Sequence, residues 1–222
     1  MKSILIILFA SMASILFGQQ QHLSKWAIGF NQSIDASYRI TKASSDLSWL
    51  KEQLDSSETW RMGYSSNIQV SYDLNEKFAL SVACSYDSKG EQLKSTVLND
   101  MSYYKTTYRY IGIPVMLQYM YPLTKGMLIL GAGPQVLGSL GNVTHLQMNN
   151  SNSDSKLIIT TQENKSIVFG AMARLAYQMN LDQTTQFQLG MLYRQQLTPV
   201  TNTDLQRKPF SIGLQLGLIR HF

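Results

Sequence analysis

One cysteine, Cys84, and three histidines, His22, His145 and His221, stand in 222 residues. A lone thiol closes no intramolecular disulfide, and histidines so far apart have no metal-ligand spacing, so a disulfide framework and a zinc centre are both excluded. On a strand between Val82 and Tyr86, Cys84 reads as a small apolar filler. Charge is scarce as well: Asp, Glu, Lys and Arg make up 15%, against about 25% in ordinary soluble domains. The net charge of +5 comes from scattered Lys and Arg with no basic run, which argues against nucleic acid as a partner. Beyond the first segment there is no apolar run of the ~20 residues that a spanning helix needs. G-x-S-x-G, H-E-x-x-H, P-loop and zinc-finger patterns are absent. Ser139 or Ser151 with His145 and Asp154 would form a Ser/His/acid set only if the third long loop gathered them, and in a Ser/Asn-rich stretch such residues co-occur without chemistry. No catalytic residue, cofactor or metal is assigned, and the chain reads as a non-enzyme.

What is present is a balance. Hydrophobic residues reach 44%, yet the mean hydropathy is −0.12, because uncharged Ser, Thr, Asn and Gln offset them. A surface facing lipid on one side and water on the other has this balance. Residues 1–18, MKSILIILFASMASILFG, have a positive start at Lys2, an apolar stretch over 4–17 and then Gln19, Gln20 and Gln21, the layout of a cleaved secretory signal peptide. No cysteine lies near the cut after Gly18, which excludes a lipoprotein anchor. A soluble periplasmic protein and an outer-membrane barrel both remain open at this point.

The period-two pattern separates them. Over 26–40 one face carries Trp26, Ile28, Phe30, Gln32, Ile34, Ala36, Tyr38 and Ile40. The other carries Ala27, Gly29, Asn31, Ser33, Asp35, Ser37 and Arg39. Successive side chains on a strand point to opposite faces, so this is a two-faced strand. The scheme recurs over 60–74, 78–86, 167–179, 187–193 and 210–218. A phase slip near Tyr110 to Gly112 suggests a bulge in the 106–120 segment, and 127–140 is rich in glycine, as expected where a small closed sheet bends. The polar face holds Gly, Ser, Ala, Asn and Gln rather than the Lys and Glu of a soluble surface, which is the interior of a narrow barrel. Trp26, Tyr38, Trp60, Tyr72, Tyr86, Tyr119 and Tyr177 tip the apolar face, as aromatic girdles do at membrane interfaces.

Connections alternate in length. Residues 75–77, 121–126 and 180–184 are short and turn-like, whereas 41–59, 90–104, 141–165 and 197–208 are long and polar. Seven links join eight strands, with short periplasmic turns, long outside loops and both termini in the periplasm. The fold class expected is therefore all-β: an eight-stranded antiparallel up-and-down transmembrane β-barrel over residues 25–222, after the cleaved signal peptide 1–18.

Two stretches carry a family resemblance. Residues 108–121 read YRYIGIPVMLQYMY and 131–138 read GAGPQVLG; 215–222, QLGLIRHF, place a glycine, Gly217, before a terminal aromatic, Phe222. Together with the signal peptide, these resemble the PorT-like outer membrane protein β-barrel domain family. The resemblance implies an outer-membrane location, a barrel-insertion signal at Gly217 and Phe222, contact with outer-membrane lipid and the barrel-insertion machinery, and envelope partners that include a protein secretion system. Arg220 departs from the aromatic or apolar residue usual in that signal.

The polar face also carries charge. Asp35, Arg39, Arg61, Asp73, Arg174 and Arg194 fall on predicted lumen faces. An unpaired charge in a narrow barrel is costly, so pairing is expected. Two readings follow: a lumen plugged by salt bridges, with an envelope-structural or interaction role for the long loops, and a small pore or transport protein with an Arg-lined lumen. Eight strands leave an interior just filled by side chains, which favours the plug.

Overall fold

The structure, a computed structural model, describes residues 25–43, 46, 48–94, 101–148, 156–159, 165–200 and 205–222. The signal-peptide segment 1–18 and His22 lie outside them, as do Ser151 and Asp154.

Ten strands are present among the described residues: β1 (Trp26–Ala43), β2 (Glu58–Thr59), β3 (Arg61–Asp73), β4 (Phe78–Lys94), β5 (Met101–Leu123), β6 (Gly126–Met148), β7 (Lys156–Ile159), β8 (Ile167–Asn180), β9 (Thr185–Gln196) and β10 (Leu205–His221). One helix, α1 (Ser48–Ser57), lies between β1 and β2. Strands β2 and β7 are short outgrowths on β4 and β6. The other eight pair antiparallel in the order β4-β3-β1-β10-β9-β8-β6-β5, and β5 pairs with β4 to close the ring. Apart from the β1–β10 seam, each barrel strand is hydrogen-bonded to its neighbours in sequence, so the barrel is up-and-down and has no free edge.

Polarity is inverted relative to a water-soluble domain. Arg39, Lys89, Gln69, Gln188, Gln196, Gln215 and Glu91 are among the largest fully buried side chains, whereas Ile34, Met62 and Leu214 are 64–65% exposed. Apolar surface open all round the barrel has lipid as its matching solvent. Aromatic rings bracket this band. Toward the end that carries the long connections, Tyr38, Trp60 and Phe210 cluster with centroids 5.3 to 5.9 Å apart. At the turn end Trp26 meets Tyr72 at 4.7 Å and Phe78 meets Tyr119 at 5.3 Å. Trp26 and Tyr38 lie about 12 residues apart on β1, or roughly 40 Å along the strand at ~3.3 Å per residue. At a tilt of about 45° that is a height of about 28 Å, close to the ~25 Å apolar band of a membrane barrel.

The turns are local devices. In the β3–β4 link, Asn75 Oδ1 accepts from the backbone N–H groups of Lys77 and Phe78, both at 2.9 Å. Asp182 repeats this between β8 and β9, accepting from Thr184 and Thr185. Both are Asx turns, which set the reversal from one side chain. Trp26 and Phe222 sit together at this end, Phe222 N–H donating to Trp26 O at 3.2 Å.

Two expectations are corrected. The long links are shorter than the polarity of 90–104, 141–165 and 197–208 indicates, because β4 runs to Lys94, β5 starts at Met101, β6 reaches Met148 and β10 starts at Leu205. Above the lipid band both faces of a strand meet water or lumen, so the hydrophobic pattern fades while the backbone ladder continues. The bulge lies not on β5 but opposite it. From Lys105 to Met120 β5 alternates without a break, whereas the register slips where Arg109 pairs with Gly141 and Tyr110 with Ser139, leaving Leu140 as the extra residue of β6; a separate slip between Met101 and Tyr103 lies at the very start of β5. Gly141 takes φ +105°, the conformation that admits the extra residue most easily in glycine.

Candidate functional site in the lumen

The inward phase of β1 supplies Asn31, Ser33, Asp35, Ser37 and Arg39, all buried. Two strands away in the ring, beyond β3, β4 continues its own inward phase past Ser85 to Asp87, Lys89 and Glu91, buried as well. These two runs meet three arginines in two tiers.

Nearest the long connections, Arg39 Nε donates to Glu58 Oε2 at 2.9 Å, and Arg39 Nη1 bonds Glu91 Oε2. Glu91 also accepts from Arg207 Nη1 at 2.8 Å. Glu58, Arg39, Glu91 and Arg207 thus form one alternating chain of charge joining β2, β1, β4 and β10. Below it, Arg194 of β9 bonds Asp87 of β4, lies 3.2 Å from Asp35 Oδ1, and donates to the Ser33 and Ser65 hydroxyls. In the ring order β9 and β4 are four strands apart by either route, so the Arg194–Asp87 pair spans the full lumen. Buried and charge-assisted bonds of this kind are strong when every member is partnered. Lys89 adds its ammonium 5.5 Å from the Tyr110 ring centroid.

Arg61 Nη1 donates to Thr106 O at 2.7 Å and Nη2 bonds Thr107 Oγ1 at 2.6 Å, tying β3 to β5 past Gly90. Arg174 of β8 crosses to the opposite wall and donates from Nη1 to Gln69 Oε1 of β3 at 3.1 Å. Beneath that bar lies a cavity of about 270 Å³ at the turn end, bordered by Gln69, Gln118, Gln178, Asp73, Met127 and His221, among others. Asp73 is therefore a rim residue, half-buried, rather than a member of the two tiers. Gly217 is buried on β10 against Asn31, and Phe222 is exposed beside Trp26.

Several lumen groups had no counterpart among the expected ones. Glu58, Asp87, Lys89 and Glu91 lie in or next to segments that read as loop or strand end. The signal for three of them was the unbroken period from Ala79 through Ser85, which continues to positions 87, 89 and 91. The lumen is also apolar on one side. Tyr108, Tyr110, Leu137, Val168 and Val200 form one buried cluster, and Met116, Met172 and Leu192 another. Val200 comes from the β9–β10 connection and closes the loop-end mouth over the first cluster. As for the Ser/His/acid set, Ser139 lies on β6 with Oγ accepting from Gly141 N–H at 3.2 Å. The His145 side chain, Ser151 and Asp154 lie outside the described residues.

A closed eight-stranded barrel with a lipid-facing exterior, two aromatic rings and a polar filled lumen defines a transmembrane β-barrel of the outer membrane. The sequence matches the outer membrane protein β-barrel domain family over residues 17–158, and the chain belongs to that family. Among solved structures it is similar to the outer membrane protein OprG from Pseudomonas aeruginosa, at 10% identity over 92% of this chain and 99% of that one, with a TM-score of 0.51. It is also similar to Neisserial surface protein A (12% identity, 91% and 100% covered, TM-score 0.46) and to the outer membrane protease OmpT from Escherichia coli (6% identity, 93% and 100% covered, TM-score 0.45). No curated protein sequence matches. At these identities the likeness is one of fold.

Proposed function

We propose that this barrel is a closed, non-enzymatic scaffold that presents its loop end at the cell surface, in an envelope-structural or interaction role. The observation that carries this reading is the Arg194 crossbar, which joins opposite walls through Asp87 and is reinforced by Asp35, Ser33 and Ser65. A pore would need an open, mobile lumen at that level. Here the path is filled by charge pairs on one side and by Tyr108, Tyr110 and Leu137 on the other. The turn end faces the periplasm, in keeping with the short turns of such barrels. The Asp35, Arg39, Arg61, Arg174 and Arg194 set serves as the lumen network, with Asp73 at its rim. Segment 1–18 directs export, and Gly217 with Phe222 marks β10 for the insertion machinery.

The resemblance to PorT-like proteins supports one finer role, participation in a protein secretion assembly. Co-purification from crosslinked outer membranes tests it: recovery of secretion components supports that role, and recovery of none removes it. The plugged state is tested by conductance in planar bilayers. The expected result is no ohmic steps at low voltage. Discrete steps would overturn the plugged reading in favour of a small Arg-lined pore.

A further inference from the structure

We infer that the outer face of the β1–β10 seam, at the loop end, is a binding site for the phosphate headgroup of an anionic lipid, held between Lys42 and Lys208. Charge on the exterior is one-sided. On the outward phase of the eight barrel strands, among the described residues, there is no Asp or Glu. Basic residues do stand there, and at the loop end they include Lys42 on β1, Lys105 and Arg109 on β5 and Lys208 on β10. A lipid-facing wall with cations and no anions finds its counter-charge in the lipid, since anionic headgroups attract Lys and Arg at a membrane surface. The site depends on the lipid-facing band and not on whether the lumen conducts.

Two of these cations stand together. Going up the seam from the ring cluster, the outward pairs are Tyr38 with Phe210, Ile40 with Lys208, and Lys42 with Gln206. Lys208 is thus the diagonal neighbour of Lys42, about 7–8 Å away, close enough for two long stems to bring their ammonium groups onto one anion. Lys42 is exposed and Lys208 half-buried. Among the described residues neither has a hydrogen bond or an ion pair. The inward arginines beside them, Arg39 and Arg207, are neutralised in the lumen by Glu58 and Glu91. Two like charges left this close repel, and a phosphate between them turns that repulsion into attraction.

Height selects the headgroup. A step of two residues is ~6.6 Å along a strand, or about 5 Å of height at a tilt of about 45°. Lys208 therefore lies about 5 Å and Lys42 about 9 Å above the level of Tyr38 and Phe210. Each headgroup layer is about 5–8 Å deep, the difference between a ~30 Å core and a ~40–45 Å bilayer divided over two faces. Tyr38, Trp60 and Phe210, with centroids 5.3 to 5.9 Å apart, mark the top of the core. Lys208 then falls within the headgroup layer and Lys42 at its outer edge, where a flexible stem reaches back to it. The arrangement recurs in part on β5, where Arg109 pairs with Ser88 one outward step above the Tyr64–Tyr86 ring contact. No second cation stands beside Arg109 on either neighbouring strand, so the seam pair is the site.

The test uses the full chain reconstituted in phosphatidylcholine vesicles, with Trp60, half-exposed in the ring cluster, as the sole tryptophan (Trp26→Phe, Trp49→Phe). Lipids brominated on their acyl chains quench Trp60 when they sit beside it. The probe is brominated phosphatidic acid, compared with brominated phosphatidylcholine at equal mole fraction. A binding constant for phosphatidic acid about five times that for phosphatidylcholine, or more, is expected, the factor that one lysine beside an anionic headgroup supplies. Lys42→Gln with Lys208→Gln should remove the preference, while Lys125→Gln, an exposed position at the turn end, leaves it as in wild type. Equal quenching by the two lipids in wild type overturns the assignment, and so does a double variant that keeps the preference. Inorganic phosphate at constant ionic strength should leave the preference intact; its loss there would assign the pair to free phosphate and overturn the lipid site. Should the double variant lose heat-modifiable migration, Lys208→Gln alone decides: a preference at least about halved supports the site, and an unchanged one overturns it.

Discussion

Gly213 on β10 leaves the space that Asp35 on β1 fills: a Cβ at position 213 would lie 2.0 Å from Asp35 Oδ1. The two residues are paired across the β1–β10 seam, the last strand pair in sequence terms and the one that closes the chain's ends together. The absence of a side chain at 213 therefore fixes where the Asp35 carboxylate points, and hence its distance to Arg194. Gly213→Ala should displace Asp35 and weaken that contact, at a cost of about 1–3 kcal/mol as an overpacked site. The measurement is the urea unfolding midpoint in micelles. Gly133→Ala should be worse, because its Cβ would lie 1.9 Å from the Val115 carbonyl oxygen, a backbone atom. For that variant we expect loss of the compact, fast-migrating form of unboiled protein on a denaturing gel.

Arg194 holds Asp35 and Asp87 together. Arg194→Met leaves the two buried carboxylates without their ion-pair partner, which should destabilise the barrel by ~3–5 kcal/mol. Neutralising the partners in the same chain, with Asp35→Asn and Asp87→Asn, removes the stranded charge. The triple variant should regain most of the lost midpoint. Equal stability of single and triple variants would show that the ion pairs do not govern this tier.

The strands of the lower barrel were legible because lipid imposes a strict two-residue period there. Ile34, Asp35 and Ala36 alternate between lipid and lumen without exception, and the same rule placed Arg39, Arg61, Arg174 and Arg194 on the inward phase. Legibility ends where the solvent changes. Above the aromatic ring, β4 carries Tyr86 outward and then Asp87, Ser88, Lys89, Gly90 and Glu91, all buried; with polar residues on both faces the run reads as a loop. Glu58, which partners Arg39, comes from the far end of a helix-bearing connection, and no local pattern announces such a long-range pair. Tyr108, Tyr110 and Leu137 are illegible as lumen residues for the opposite reason. On β5 and β6 both faces are apolar, so hydrophobicity alone cannot say which one faces inward.

Val200 ties the β9–β10 connection to the barrel mouth. Its side chain is fully buried, its N–H donates to Arg207 O at 2.9 Å, and its carbonyl accepts from Lys165 N–H at 2.9 Å. Val200→Asp would bury a carboxylate in the apolar cluster of Tyr108, Tyr110, Leu137 and Val168. The connection should detach while the barrel persists. Tryptic cleavage after Lys165 and Arg207 should then accelerate by on the order of tenfold, equivalent to an opening easier by ~1.4 kcal/mol, with heat-modifiable migration unchanged. Mass spectrometry of the fragments reads the cut sites. Simultaneous loss of the compact form would instead make Val200 part of the barrel's global stability.

Asp182 and Asn75 perform one task with different chemistry, and this makes the turn end responsive to acid on one side only. The backbone N–H groups of Thr184 and Thr185 hold the Asp182 carboxyl below its usual range, whereas the Asn75 amide does not titrate. A carboxyl whose folded value is depressed contributes stability above its unfolded value of ~3.9 and loses it as the pH falls through the lower folded value. Acid should therefore loosen the β8–β9 turn before the β3–β4 turn. Amide hydrogen exchange of Thr184 and Thr185 relative to Lys77 and Phe78, corrected for intrinsic rates and followed from pH 6 down to about 2, below the depressed Asp182 value, checks this. Asp182→Asn should flatten the difference by giving both turns a neutral acceptor. Asn75→Asp should create the same acid sensitivity in the β3–β4 turn. A β8–β9 turn that stays equally protected across this range in wild type would mean that its strands, rather than Asp182, hold it closed.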